Sequence, residues 1–104
     1  MSLSFHEAAL AEAAQVASRY CSIRDRLGDD FASELEKVLG DIADRADTYP
    51  LLETCFGAWG IRRALLRRFP YVVIYESDGA NLRILAVMHT SRHPRYWTKR
   101  RTQQ

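Results

Sequence analysis

The sequence predicts an α+β protein in which a helical hairpin precedes a three-stranded antiparallel meander, packed as two layers. Three observations predict it. Apolar residues recur every three or four positions through the first half, which is the period of a helix. The β-branched and aromatic run at 71–75 is typical of a strand covered on both faces. The Asp78-Gly79 pair is a strong hairpin signal.

The first helix is predicted to start at Ser4, because Ser4 and Glu7 have the spacing of a capping box. Gly28 can adopt a positive φ, so we expect the helix to stop there. Cys21 lies beside the apolar stripe and is expected to be a small buried side chain. The stripe itself consists of Ala9, Ala13, Val16, Tyr20, Ile23 and Leu27.

The second helix is predicted to follow directly, with Asp29 or Asp30 as its N-cap. It should end at Tyr49-Pro50, since proline disfavours helix at the residue before it. The two helices then form an antiparallel hairpin. The apolar stripe of the second helix consists of Phe31, Leu35, Val38, Leu39 and Ile42.

The meander is predicted from residues 59–69, 71–75 and 82–88. In the first of these strands, alternation should send Arg63 and Arg67 to one face and Arg62 and Arg68 to the other. The helices cover one face of the sheet, and we expect the other face to stay open with arginines projecting from it.

The chain of 104 residues is expected to be a single domain over 1–104, with a frayed tail at 98–104. No apolar run approaches the ~20 residues that span a bilayer, so no membrane role is expected. The N-terminus lacks the pattern of a secretion signal, and the two cysteines form no C-x-x-C motif. These features predict a protein of the reducing cytoplasm.

Charge divides the chain into two unlike halves. Residues 1–54 hold five basic and eleven acidic side chains, a net charge of −6, and residues 55–104 hold ten and two, a net of +8. A basic half favours a polyanion or an acidic partner, although a solvated edge guarded by charge gives the same pattern. The candidate binding residues are Arg62, Arg63, Arg67, Arg68, Arg92, Arg95, Tyr96 and Trp97. Their guanidinium groups suit carboxylate or phosphate, and their rings suit a base or a protein groove.

The sequence predicts no metal and no cofactor. His89 and His93 stand four residues apart, but at a strand end and without a third ligand. No glycine-rich phosphate loop or nucleophile elbow occurs in the chain.

Three motifs of the basic half resemble the ParE branch of the ParE/RelE toxin superfamily, the plasmid-stabilisation toxins. They are Phe69-Pro70-Tyr71 with Tyr75, then Ala86-Val87 with His89, then Arg92, Pro94, Tyr96 and Trp97. The resemblance implies a bacterial toxin of a type II toxin–antitoxin module with the two-layer RelE/ParE-like fold. In that fold a short N-terminal strand precedes the first helix, and in this chain residues 1–5 remain to form it. The resemblance also implies a cognate antitoxin, a small DNA-binding protein whose extended C-terminal segment wraps the toxin.

The resemblance leaves two mechanisms open. ParE-like toxins bind and poison DNA gyrase without being enzymes, whereas RelE-like toxins cut messenger RNA on the ribosome. An inactive relative that binds protein or nucleic acid is a third possibility. In the nuclease branch, Arg63, Arg92 and Tyr96 would be the catalytic residues.

Three positions count against the nuclease branch. Its key strand usually carries an arginine where this chain has Val72, and the preceding strand often carries a second basic residue where this chain has Leu65. A further arginine expected after the last strand falls on Thr90 by spacing from Tyr96, although a shift would bring Arg92 to that position. A charged donor cannot be replaced by an apolar side chain. We therefore expect no catalytic residues, and DNA gyrase as the target.

Overall fold

The computed structural model of this protein describes residues 2–51, 60–77, 81–92 and 96–100. Within these ranges a helical hairpin packs on one face of a four-stranded sheet, which confirms the predicted α+β fold. None of the described helices is both long and apolar enough to cross a membrane. In chain order the elements are β1 (Ser2–Phe5), α1 (Glu7–Ile23), α2 (Asp25–Arg45), a 3-10 turn (Ala46–Thr48), β2 (Ile61–Leu65), β3 (Tyr71–Ser77), β4 (Asn81–His89) and a 3-10 turn (Thr98–Arg100).

The strand order across the sheet is β1-β4-β3-β2. Strands β2, β3 and β4 pair antiparallel, as predicted for the meander. The short strand β1 pairs parallel with β4, from Ser2 opposite Asn81 to Phe5 opposite Ile84. A parallel pair needs a long crossover connection, which the helical hairpin and the first two meander strands supply here. Asp78 and Gly79 lie outside the described residues.

The start of α1 differs from the capping-box prediction. Ser4 lies in β1, where its hydroxyl donates to the backbone oxygen of Leu82. The N-cap is His6, whose Nδ1 accepts a hydrogen bond from the backbone N–H of Ala8 at 3.1 Å. Pairing of residues 2–5 with β4 therefore overrides the local capping signal.

The predicted stop at Gly28 is also wrong. Helix α1 ends at Ile23 and α2 already begins at Asp25, so Gly28 lies inside α2 and the two following aspartates do not cap it. A Cβ at Gly28 would lie 2.1 Å from the Sγ of Cys21 and 2.9 Å from the backbone oxygen of Ala17. Glycine is therefore required by the close approach of the two helices. Cys21, expected to be buried, is exposed beside this contact.

The main core lies between the hairpin and the sheet. The stripe of α2 faces it as predicted, with Phe31 and Ile42 fully buried. The ring of Phe31 packs edge-on against Phe69 and Tyr71, with centroids 5.4 and 5.7 Å away. Alternation in β3 turns Tyr71, Val73 and Tyr75 toward the helices, and leaves the intervening side chains to the opposite face.

Candidate functional site

The face of the sheet that points away from the helices is here called the second face. It was expected to stay open, and this is wrong, because Trp97 folds back over it and is fully buried. A tryptophan side chain contributes a large apolar area, so it closes a second, smaller core on this face. The residues beneath it are Ile61, Val72, Ile74, Leu85, Ala86 and Met88.

Residues 96–100, here called the strap, are held by one carboxylate of α1. The Oε2 of Glu12 accepts a hydrogen bond from the hydroxyl of Tyr96 at 2.8 Å, and its Oε1 pairs with the Nη1 of Arg100 at 3.0 Å. Both partners of this ion pair keep 16% of their side-chain surface exposed. Within the predicted tail, Thr98–Arg100 form a 3-10 turn, and residues 101–104 lie outside the described part.

The strap also completes an edge of β4. Strand β1 leaves β4 after Phe5, so the backbone groups of residues 85–87 have no strand beside them on that edge. The Oε1 of Glu12 accepts from the N–H of Val87 at 3.1 Å, and Arg100 donates to the backbone oxygen of Leu85 at 3.0 Å. Two side chains thus satisfy the donor and the acceptor that a neighbouring strand would otherwise satisfy.

Tyr96 is the first residue of the strap. The guanidinium groups of Arg92 and Arg100 lie 4.0 and 4.9 Å from the centre of its ring. Burial, and then the hydrogen bond to Glu12, raise the pKa of the Tyr96 hydroxyl well above its usual range. The hydroxyl therefore stays protonated at neutral pH and acts as a donor.

Beside the strap, the second face carries a depression of about 280 Å³, here called the second-face groove. Arg63 from β2 and Arg92 after β4 lie on its lining, whereas its other residues are almost all apolar. Val72 retains 5% of its surface exposed. The groove brings together three of the predicted site residues, Arg63, Arg92 and Trp97. The full lining is Arg63, Leu65, Val72, Ile74, Met88, Thr90, Arg92 and Trp97.

The remaining predicted arginines lie elsewhere. Arg62 lies on the opposite face of β2 from Arg63, as predicted, and its Nη1 donates to the backbone oxygen of Tyr49. The face assignment is wrong for Arg67 and Arg68, because β2 ends before them. The backbone N–H groups of both residues donate to one carboxylate oxygen of Glu34, a residue of α2. Arg95 falls outside the described residues.

A larger depression of about 670 Å³ lies between α2 and the end of β2 and is here called the helix-side groove. Leu65 lines both grooves and is 54% exposed, although it was not among the predicted binding residues. Its place beside Arg63 in an alternating strand was the available signal. The lining is Asp30, Ser33, Glu34, Lys37, Val38, Asp41, Tyr49, Leu65, Arg67 and Arg68.

A helical hairpin on a mixed sheet, with arginines and an aromatic strap on the far face, places the chain in the class of RelE/ParE-like folds. Within that class the chain belongs to the family of ParE toxins of type II toxin–antitoxin systems, parDE, whose model matches residues 3–94.

The fold is shared with a solved structure described as the chromosomal ParDE TA system from P. aeruginosa. The TM-score is 0.71 at 17% sequence identity, and the match covers 86% of this chain and 95% of that chain. Comparison with curated proteins finds no match.

Proposed function

We propose that this toxin inhibits growth by binding DNA gyrase, as a protein ligand and not as an enzyme. The supporting observation is the apolar floor of the second-face groove, where Val72 is buried beside Met88 and Trp97. The RelE-like nucleases of the same superfamily usually carry an arginine at the position of Val72. A groove with an apolar floor and arginines on its lining is suited to binding the surface of a partner protein.

Tyr96 supports the same reading. A nuclease needs a group that takes the proton from the attacking 2′-hydroxyl. The Tyr96 hydroxyl instead donates to Glu12, and the pKa of this hydroxyl is raised. A tyrosine in this state is a poor general base.

One observation favours a second candidate function, ribosome-dependent cleavage of messenger RNA. Arg63 and Arg92 line the same groove, so both could contact one phosphate. Against this second function, the chain lacks two of the basic residues expected in a nuclease, since Val72 and Leu65 are apolar.

The proposed partner is a cognate antitoxin, a small DNA-binding protein with an extended C-terminal segment. Membership of a toxin–antitoxin family supports it. The excess of basic residues in the second half further indicates that the segment is acidic in part. Both partners would act in the cytoplasm.

Induced expression of the chain without its antitoxin tests the proposal. We expect growth arrest together with accumulation of gyrase–DNA cleavage complexes. Arg63→Ala and Arg92→Ala should weaken the arrest, whereas Arg26→Ala, on the exposed surface of α2, should not. Cuts within codons of ribosome-bound messenger RNA would instead support the second candidate. Normal growth at confirmed soluble expression would contradict a toxin and favour an inactive relative.

A further inference from the structure

A small depression of about 100 Å³ lies where the second half of α1 passes the end of β4, and it is here called the polar pocket. It shares no residue with the helix-side groove, and only Met88 and Arg92 with the second-face groove. Because a water molecule takes up about 30 Å³ of the liquid, the pocket has room for about three waters or one small oxyanion. Its lining is Glu12, Gln15, Val16, Arg19, Tyr71, Val87, Met88, His89 and Arg92.

Helix α1 contributes a stripe of polar side chains to the polar pocket. Glu12, Gln15 and Arg19 follow one another at three- and four-residue spacing, so they lie on the same face of the helix. Val16, between them, is buried in the main core and fixes this stripe against the sheet. Gln15 and Arg19 are exposed, and their amide and guanidinium groups are therefore accessible to a ligand.

The end of β4 contributes two further donors, which a tight turn brings together. His89 pairs with Tyr71 at the end of the strand, and the N–H of Arg92 donates to the backbone oxygen of His89 at 3.0 Å. The imidazole packs against the ring of Tyr71, with centroids 5.2 Å apart. The Nδ1 of His89 accepts from the backbone N–H of Ser91 at 3.1 Å. A neutral imidazole that accepts at Nδ1 carries its proton on Nε2, so Nε2 is a donor.

The polar pocket carries a positive charge once its internal ion pair is counted. Among the described lining residues Glu12 is the only acid, and Arg100 balances its charge at 3.0 Å. Both oxygens of this carboxylate already accept hydrogen bonds. By contrast, the side chains of Arg19 and Arg92 form no ion pair within the described part of the chain. Two guanidinium groups without a carboxylate partner therefore lie on the lining of one small pocket.

We infer that the polar pocket binds a phosphate group through Arg19, His89 and Arg92. A guanidinium group donates two parallel hydrogen bonds to phosphate oxygens, which makes arginine well suited to this ligand. The donors come from two separate elements, α1 and the turn after β4, so they approach a tetrahedral oxyanion from more than one side.

The size of the polar pocket limits what it recognises. At about 100 Å³ it does not hold a sugar and a base in addition to the phosphate. The rest of the ligand therefore stays outside. Two sources present such a group, a nucleic-acid backbone and a small phosphate compound, and the experiment separates them. The inference holds whatever the cellular target of the toxin is.

Titration of the purified full chain with inorganic phosphate, followed by nuclear magnetic resonance, tests the site. The guanidinium signals of Arg19 and Arg92 and the imidazole signals of His89 should shift and saturate. Arg19→Ala should weaken phosphate binding by about tenfold, through the loss of a charge-assisted hydrogen bond. The matched control is Arg26→Ala, which also removes one exposed positive charge but lies on the lining of none of the three depressions. This control should change the affinity by less than about twofold.

A short DNA duplex identifies the source of the phosphate. If the ligand is a nucleic-acid backbone, the chain binds the duplex, and Arg19→Ala lowers the slope of log affinity against log salt by about one. If the ligand is a small phosphate compound, inorganic phosphate and a nucleoside triphosphate compete for the pocket, and Arg19→Ala leaves the duplex slope unchanged. Either result supports a phosphate site.

Three results would overturn the inference. The first is the absence of saturable shifts with both phosphate and the duplex. The second is an equal loss of affinity in Arg19→Ala and Arg26→Ala, which would show a general effect of charge. The third is an equal response of the same signals to acetate, which would make the pocket a carboxylate site. Each of these results would leave the proposed action on gyrase standing, because growth arrest tests that proposal separately.

Discussion

The hydroxyl of Tyr96 donates to the carboxylate of Glu12 at 2.8 Å, although the two residues are 84 positions apart in the chain. The same carboxylate pairs with Arg100 and accepts from the backbone of Val87. One acidic side chain of α1 thereby joins the first helix, the edge of β4 and the strap. Its contacts hold Tyr96 beside Arg92, at the end of the second-face groove.

Replacing Glu12 should destabilise the protein. Glu12→Ala leaves Arg100 and the N–H of Val87 without their acceptor in a half-buried site, which should cost about 1–3 kcal/mol in the free energy of unfolding. Urea denaturation measures it. Glu36→Ala, which removes an exposed acid of α2, should change stability by less than about 0.5 kcal/mol. Equal losses in the two variants would show that the carboxylate of Glu12 has no special role.

The two glycines within α2 should respond oppositely to alanine. Gly28→Ala would place a Cβ against Cys21 and Ala17, so we expect a loss of about 1–3 kcal/mol from overpacking. Gly40→Ala meets nothing within 4 Å and should stabilise the helix by up to about 1 kcal/mol. Thermal melts of the pair decide the matter. Tolerance of alanine at Gly28 would mean that α1 and α2 separate more easily than their packing suggests.

Stability should fall at alkaline pH because of Tyr75. Its hydroxyl donates to the backbone oxygen of Ala46 at 2.6 Å, and burial raises its pKa from 10.0 to about 12. The folded state therefore holds this proton more tightly than the unfolded state does. The resulting stabilisation is fully present below pH 10 and is lost as the pH rises from 10 toward 12.

Tyrosinate absorbance of the folded protein measures this titration. A late-titrating group should be missing from Tyr75→Phe, while Tyr49, whose pKa is also raised to about 12, should remain. Ionisation of Tyr75 near pH 10 in the folded protein would refute the prediction.

Removing the ring of Trp97 should cost more than any change at the groove surface. Trp97→Ala empties the centre of the second-face core, and fully buried aromatic side chains typically contribute about 3–5 kcal/mol. The exposed Thr90 lies on the lining of the same groove, and Thr90→Ala should change stability by less than about 0.5 kcal/mol. Near-ultraviolet circular dichroism with urea denaturation compares the two. A small effect at Trp97 would mean that the strap does not contribute to the folded core.

Periodicity predicted those parts of the fold that are determined locally. The helical period predicted that one face of α2 is buried, and Phe31, Leu35 and Ile42 on that face are buried. The continuous apolar run predicted a strand covered on both faces, and residues 71–75 are all buried. The boundaries at Ser4 and Gly28 were misassigned, because both residues respond to distant contacts. Ser4 pairs with β4, and Gly28 faces Cys21 of the other helix. Neither contact leaves a trace in a local window of sequence.

The site was predictable to a similar extent. Residue type alone pointed to Arg63, Arg92 and Trp97, because arginines and rings are unusual on a bare sheet face. Glu12 was missed, since eleven acidic residues of the first half looked alike until one of them was found facing Arg100. The net charge of half of the chain does not show which acidic residue pairs with which basic residue, because the fold determines the two partners.

The parallel pairing of β1 with β4 has a consequence for how the molecule folds. Ser2 lies opposite Asn81, and Glu12 contacts Tyr96 and Arg100, which are 84 and 88 positions away in the chain. Forming these contacts requires the chain to close very long loops. Contacts of this kind slow folding. During synthesis the helical hairpin emerges first, and its apolar stripe stays uncovered until β3 and β4 follow. A newly made chain therefore passes through a stage in which the helical hairpin exposes its apolar surface before the sheet has formed.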